Sequence, residues 1–411
     1  MKSLFQIFKL RSFNSPQDRR ITFMLAALLL VPSLNFYANY YVQYVFGQQS
    51  ISVVSYLVLA LIGIFSYKYL FTSSSKLLII VTLAALFGAV LSYLLYPSIR
   101  LTLLLPDFNP IESGMLMLGF YCVPALLLGY NNKNWTFIRL AFYYLAFFVI
   151  PSSLYFYNAY YIGISLIDRV DYMTYSYNVL PYTCACLYEG FTNKKKMGIL
   201  VGLVGVIEIF AVGARGALAC ALLFALLVTF TNSSLKLKFF SACVALTIYL
   251  NLTKILLWFS NLFDSFHVYS RTLSLMLNNE FDTSNSREMI RNALLEKVLD
   301  CPMGYGLFGD RYIASVSASN SLTSSTYAHN LAVEFICDFG LIGGPLLLMW
   351  YLWRIYKSMS IRIEERSIHF AVLLLVVCGF ANLFMSGSYL ASIMFWALTG
   401  LLIRLRQFKQ N

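Results

Sequence analysis

Charge is what this chain has least of. Only 12% of its 411 residues are Asp, Glu, Lys or Arg, against about 25% in soluble globular domains. A disordered chain needs abundant charge and few apolar residues, so that class is excluded as well. Histidine is nearly absent, with three copies. There are eight cysteines, but only Cys184 and Cys186 lie close together, and no further Cys or His stands at metal-ligand spacing from them. Neither a zinc site nor a disulfide framework is expected, and the thiols read as small buried hydrophobes. No GxxxxGK[ST], HExxH or GxSxG occurs in a context that would use it, which takes support from ATP-driven transport, zinc proteolysis and α/β-hydrolase chemistry.

What fills the chain is apolar: 59% of all residues, including 34 Phe and 30 Tyr, for a mean hydropathy of +0.70. Twelve apolar runs reach or approach the ~20 residues that cross a ~30 Å hydrocarbon core. They lie near 21–43, 51–71, 77–95, 112–130, 136–157, 173–189, 197–213, 216–231, 239–258, 331–354, 367–386 and 389–404. The expected fold is an all-α polytopic membrane protein of about 12 transmembrane helices. Helices one to nine fall within 1–257, a large loop occupies 258–330, and helices ten to twelve fall within 331–411. The first run is too long for the h-region of a secretory signal. Of the 30 Lys and Arg, 21 fall before the first run, after the last, or in alternate connections. Basic residues mark the cytoplasmic side, so both termini are expected inside and the 258–330 loop outside. The net charge of +12 is then a sign of topology and carries no implication of nucleic acid.

A loop of over 70 residues is far beyond the ~12–15 at which loops become functional or disordered. This one is patterned. Ser286 to Asp300 carries apolar residues at Met289, Ala293, Leu294, Val298 and Leu299, a helical spacing, with Ser286 as N-cap and Pro302 as terminator. Pro302 to Gly309 follows as a glycine-rich turn that permits close backbone approach. Arg287 and Arg291 share one face of the helix and suit phosphate oxygens bidentately; the same spacing also fits a solvated face paired with Glu288 or Glu296.

Other candidates lie at the span ends. Gly213-Ala214-Arg215-Gly216 is a tight turn, and the eighth span begins there with N–H groups that lack intrahelical partners. A cation beside a helix N-terminus suits a lipid-linked phosphate; the alternative is an ordinary snorkelling arginine. His329 stands at the mouth of the tenth span, followed by Asn330, Glu334 and Asp338, and can take a proton from a hydroxyl; a structural interfacial histidine has the same position. Asp168 and Arg169 occupy the connection between the fifth and sixth spans, where they can bind sugar hydroxyls or pair with each other. Glu208 is expected at the middle of the seventh span, where an ionisable group is costly and a functional candidate by default.

Taken in order, twelve spans, a large external loop before the tenth, Ala-Arg-Gly opening the eighth, Pro302-x-Gly-x-Gly, and His329-Asn330-x3-Glu334 followed by Gly340-Leu341-Ile342-Gly343 resemble the Wzy/WaaL superfamily of bacterial O-antigen and capsule polymerases and O-antigen ligases. Ala214 departs from the pattern, since members often carry Ser there. The resemblance implies a metal-independent, cofactor-free glycosyltransferase of GT-C-like fold in the bacterial inner membrane, with its active site extracytoplasmic. Its donor would be an undecaprenyl-pyrophosphate-linked oligosaccharide, and its associates a flippase and a chain-length regulator. Mapped onto this chain, Arg215 and Arg287, supported by Arg291, would hold the pyrophosphate. His329 would deprotonate the acceptor hydroxyl, with Glu334 or Asn330 orienting it. The stretch Tyr305 to Arg311 favours a polymerase over a ligase. A flippase would instead line a central cavity with charge.

Topology gives the first test. Alkaline phosphatase fused within 265–325 is expected to be active, and fusions at 194–196 or after 404 inactive. Activity at 194–196 would overturn the span count.

Overall fold

The computed structural model describes residues 15–46, 52–71, 75–95, 110–161, 172–212, 214–232, 251–265, 273, 277, 285–317, 327–359 and 366–407. Among them every regular element is a helix. In chain order these are α1 (Pro16–Phe46), α2 (Ser52–Ser66), α3 (Lys68–Phe71), α4 (Lys76–Leu95), α5 (Pro110–Met117), α6 (Val123–Asn131), α7 (Trp135–Tyr161), α8 (Tyr172–Asn193), α9 (Lys196–Val212), α10 (Arg215–Asn232), α11 (Leu252–Ser265), α12 (Asn285–Val298), α13 (Gly309–Ser317), α14 (Leu331–Met359), α15 (Arg366–Leu375) and α16 (Ile393–Gln407). Single π-turns at Leu118–Cys122 and Val376–Phe380 join α5 to α6 and extend α15, and 3-10 turns at Ala381–Phe384 and Tyr389–Ala391 lead into α16.

Five helical stretches among the described residues are long and apolar enough to cross a membrane: Pro16–Ala38, Gly114–Asn131, Trp135–Ser153, Leu331–Met359 and Arg366–Phe384. Shorter apolar helices lie at Tyr56–Phe71, Lys76–Ser92, Arg215–Thr231 and Ile393–Leu405, each matching an expected span to within a residue at the end where it runs over. The expected ninth span is only partly visible, because 233–250 fall outside the described residues; α11 runs past 258 to Ser265. Large apolar side chains such as Leu57, Phe65, Ile80 and Phe87 stand exposed on α2 and α4. A soluble monomer rarely presents so continuous an apolar surface, whereas lipid covers it at no cost.

The interior is aromatic and close-packed. Trp135, Phe142, Tyr182, Tyr188, Phe224, Phe335, Phe370 and Phe395 are fully buried in one continuous core. α8 is its axis, packed against α7, α9 and α10, while α16 lies along α6. At the basic end, buried Glu189 pairs with Lys195 at 2.7 Å, accepts from Asn193 Nδ2 at 2.9 Å, and has Arg139 Nε 3.3 Å away as an ion pair. Two of the basic residues counted toward orientation therefore also neutralise a buried carboxylate.

The loop between α11 and α14 builds a small core of its own. Ile290, Leu294 and Val298 on α12 bury against Ile313, Ala328, Val333 and Cys337. The expected helix is present, but it closes at Val298. Leu299 thus leaves the helical phase and is exposed instead of packed, and Ile290 takes a place in the apolar stripe.

The expected tenth span differs most. α14 is interrupted at Gly340, whose φ of 79° and ψ of −179° are non-helical. That region is open essentially only to glycine, and a Cβ there would strike the Pro302 carbonyl oxygen. Gly340→Val should therefore destabilise the protein by at least ~1–3 kcal/mol, read as a lowered melting temperature in detergent. Wild-type thermal stability would mean that the helix runs straight.

Candidate active site

The break in α14 organises the site. In an unbroken helix Leu341 N–H would donate to the Cys337 carbonyl, and the next N–H to that of Asp338. Here Pro302 O accepts Leu341 N–H at 2.9 Å, while Tyr305 N–H donates to Cys337 O at 2.8 Å and Gly306 N–H to Asp338 O at 2.9 Å. The Pro302–Gly306 turn thus supplies the groups that the broken helix lost. Its Gly304, at φ 85°, lies against Gly340 so closely that a Cβ would come within 2.7 Å of Asp338 O.

Held in this way, the turn delivers α13 to the side of α14, and a buried charge network forms between them. Asp338 accepts from Gly309 N–H at 2.8 Å and from Tyr389 O–H at 2.6 Å. Glu334, one turn earlier, accepts from Ser388 O–H and, at 3.2 Å, from Tyr389 N–H. Arg311 reaches across, with Nη2 donating to Ser388 Oγ at 3.0 Å and Nη1 lying 3.4 Å from Asp310 and 3.7 Å from Glu334. Asp310 spends its other oxygen on Ala328 N–H at 2.9 Å. All four charged side chains are buried. Burial works against the Arg311 charge, but Asp310, Glu334 and Asp338 outweigh it and raise its pKa.

His329 sits where these tethers end. The residue before it is held by Asp310. The residue after it, Asn330, caps α14: its Oδ1 accepts from Ala332 N–H at 3.0 Å and Val333 N–H at 3.3 Å, and its Nδ2 donates to Phe384 O at 3.3 Å. Side-chain caps of this kind satisfy orphan N–H groups. Between the two anchors His329 adopts φ 52°, uncommon for a non-glycine residue. Its half-buried ring lies over Tyr327 with centroids 3.8 Å apart.

Arg215 begins α10 as expected and is half-buried. Its neighbour Gly216 packs against the Tyr177 hydroxyl, and a Cβ there would lie 2.9 Å from Met385 Cβ. Since Asn330 holds Phe384, the α10 start and the His329 turn meet on the same short segment, Ala381–Met385. Arg291 is half-buried on α12, the helix that packs on the start of α14. Arg287 lies in the first turn of α12 with its side chain outside the described residues, and Asp168 and Arg169 lie outside them altogether.

Of the network members, Ser388 and Tyr389 were not singled out from sequence, and Asp310 and Arg311 entered only as part of the Tyr305–Arg311 stretch, with no role of their own, although a signal for them existed. Glu334 and Asp338 are four apart in an apolar run, so both fall on one buried face and require a cation from elsewhere. Comparison with known proteins finds no matching family model and no matching curated protein.

Removing one partner of a buried ionic group costs ~3–5 kcal/mol, because the other charge stays buried. Arg311→Gln should accordingly lose folded protein in fluorescence-detected size exclusion, and Arg311→Lys should recover only part of it, since an ammonium lacks the fork. A full yield of monodisperse Arg311→Gln would show that the network contributes little.

Proposed function

We propose that this protein is a polysaccharide polymerase of the bacterial inner membrane. It transfers an undecaprenyl-pyrophosphate-linked glycan to the sugar hydroxyl of a second lipid-linked repeat unit on the extracytoplasmic face. The observation that carries the proposal is the meeting of two expected site elements, the Arg215 helix start and the His329–Asn330 turn, on one segment, Ala381–Met385. They are distant in sequence and different in chemistry, one cationic and one basic, as glycosyl transfer from a pyrophosphate requires.

In the proposed step the acceptor oxygen attacks the anomeric carbon of the donor. Its proton passes to the His329 imidazole, and the bond from that carbon to the pyrophosphate oxygen breaks, so that the lipid pyrophosphate leaves with the bonding electrons. Arg215, with Arg287 and Arg291 from α12, stabilises the negative charge that develops on the leaving group. Asn330 and Asp310 hold the backbone on either side of His329, so the imidazole is placed before substrate arrives. Glu334 and Arg311 anchor that arrangement from beneath. Asp168 and Arg169 are assigned to the acceptor sugar.

The test is purified protein with lipid-linked repeat units. His329→Ala should lose transfer by ~10²–10⁴-fold, the range for a positioned base, while donor binding persists. Arg215→Ala should lose donor binding, with Arg215→Lys partly restoring it. Chelation of divalent metal should leave the rate unchanged. An unchanged rate in His329→Ala, or full inhibition by chelator reversed by added metal, would contradict the mechanism.

A further inference from the structure

Glu208 takes no part in the site above, and its surroundings are unusual. It lies on α9 four residues before the helix ends at Val212, about 6 Å along the axis at 1.5 Å per residue. It is therefore near the Arg215 end of the bundle, not at mid-span. The side chain is 2% exposed, and neither carboxyl oxygen has a hydrogen-bond partner among the described residues. Two hydroxyls in the same state lie on neighbouring helices: Tyr37 on α1 and Ser153 on α7, both buried and both without a hydrogen bond of standard geometry. Gly205, one turn before Glu208, packs against Ile150, one turn before Ser153 on α7, so Glu208 stands level with Ser153, and Tyr37 lies within electrostatic reach of both.

Among the described residues, the groups turned toward this cluster are uncharged. α8 contributes the phenols of Tyr175 and Tyr182, the second of which pairs with Ser33 at 2.7 Å. Its buried thiols Cys184 and Cys186 lie further along the same helix. α11 meets this end of α9 through Phe259 against Phe210, and its Lys254 is exposed. Arg215 heads the next helix beyond the end of α9, while Arg139, Glu189 and Lys195 are paired at the opposite end. Among the described residues no basic side chain pairs with the Glu208 carboxyl.

A bare carboxylate in such a place costs several kcal/mol or more, and a protein avoids this by neutralising the group. Hydroxyls can donate to or accept from a carboxylic acid, but they cannot balance a full negative charge. We propose that Glu208, with the Tyr37 and Ser153 hydroxyls beside it, forms a buried proton-binding site in which the carboxyl is held as the neutral acid. The ligand is a single proton, bound one helical turn beneath the Arg215 turn. Its presence there keeps negative charge away from the end of the bundle that carries the cationic groups.

Infrared difference spectroscopy on the full-length protein in lipid nanodiscs, wild type minus Glu208→Gln at pH 7, reads the state of this one carboxyl. The expected result is a protonated carboxyl C=O band present in the wild type and missing from the variant, with a frequency shift in Tyr37→Phe as the neighbouring hydroxyl is removed. Glu208→Gln, an uncharged isostere, should insert and melt like the wild type, whereas Glu208→Lys should lower the folded yield. An ionised carboxylate band in the wild type would overturn the proposal. So would a protonated band that converts to carboxylate on adding sodium, since that would make the site one for a metal cation.

Discussion

A helix that breaks inside an apolar bundle must find new partners for its backbone, because hydrocarbon supplies none. The interruption of α14 at Gly340 is that constraint, and much of this structure answers it. Three backbone hydrogen bonds to the Pro302–Gly306 turn replace those the helix gave up. Each contributes only ~0.5–1.5 kcal/mol net, but leaving the groups unmade costs ~1–3 kcal/mol apiece. The turn has little freedom to sit elsewhere. Gly304 and Gly340 meet backbone to backbone, and any side chain at either position would force them apart.

From that contact the charge network follows. Fixing Gly306 and Gly309 against Asp338 sets α13 beside α14 and places Arg311 among three carboxyls. Such a cluster adds little stability compared with an apolar core. What it supplies is definition. Asp310 holds the residue before His329, Glu334 holds Ser388 and Tyr389, and Asn330 holds Phe384. The segment between α15 and α16, which has no long helix to stiffen it, is thereby fixed against the α14 start on one side and α10 on the other. One arginine and one glycine pair thus set the positions of side chains contributed from far apart in sequence.

Much of this was legible in the sequence, within physical limits. Apolar runs of spanning length located the helices, since burial in lipid or core leaves a local record at every residue. Arg215 as a helix start and an amphipathic helix over 286–300, observed as Asn285–Val298, were equally local, set by turn residues and by period. The break at Gly340 left no such record: Leu331–Met359 reads as one apolar run, and a glycine within it is unremarkable until its φ is known. Nor do Ser388 or Asp310 differ in pattern from other polar residues outside the apolar cores of the spans. Their roles come from pairing segments 18 and 77 residues apart, as Asp310 with Ala328 and Arg311 with Ser388, and local periodicity does not encode such pairs. Glu208 was visible as an anomaly, but its depth was not, because that depends on where α9 ends.

Hydrogen exchange tests the central claim most directly. Amides of Tyr305, Gly306 and Leu341 are bonded in the docked turn and would face solvent or lie unpaired without it. In the full-length protein in nanodiscs, peptides covering 302–309 and 337–343 should exchange slowly and together, near the protection of α14 itself, and Gly340→Ala should accelerate both. Rapid exchange of 302–309 beside a protected 337–343 would mean that the turn is free and the helix unbroken, which would contradict the account.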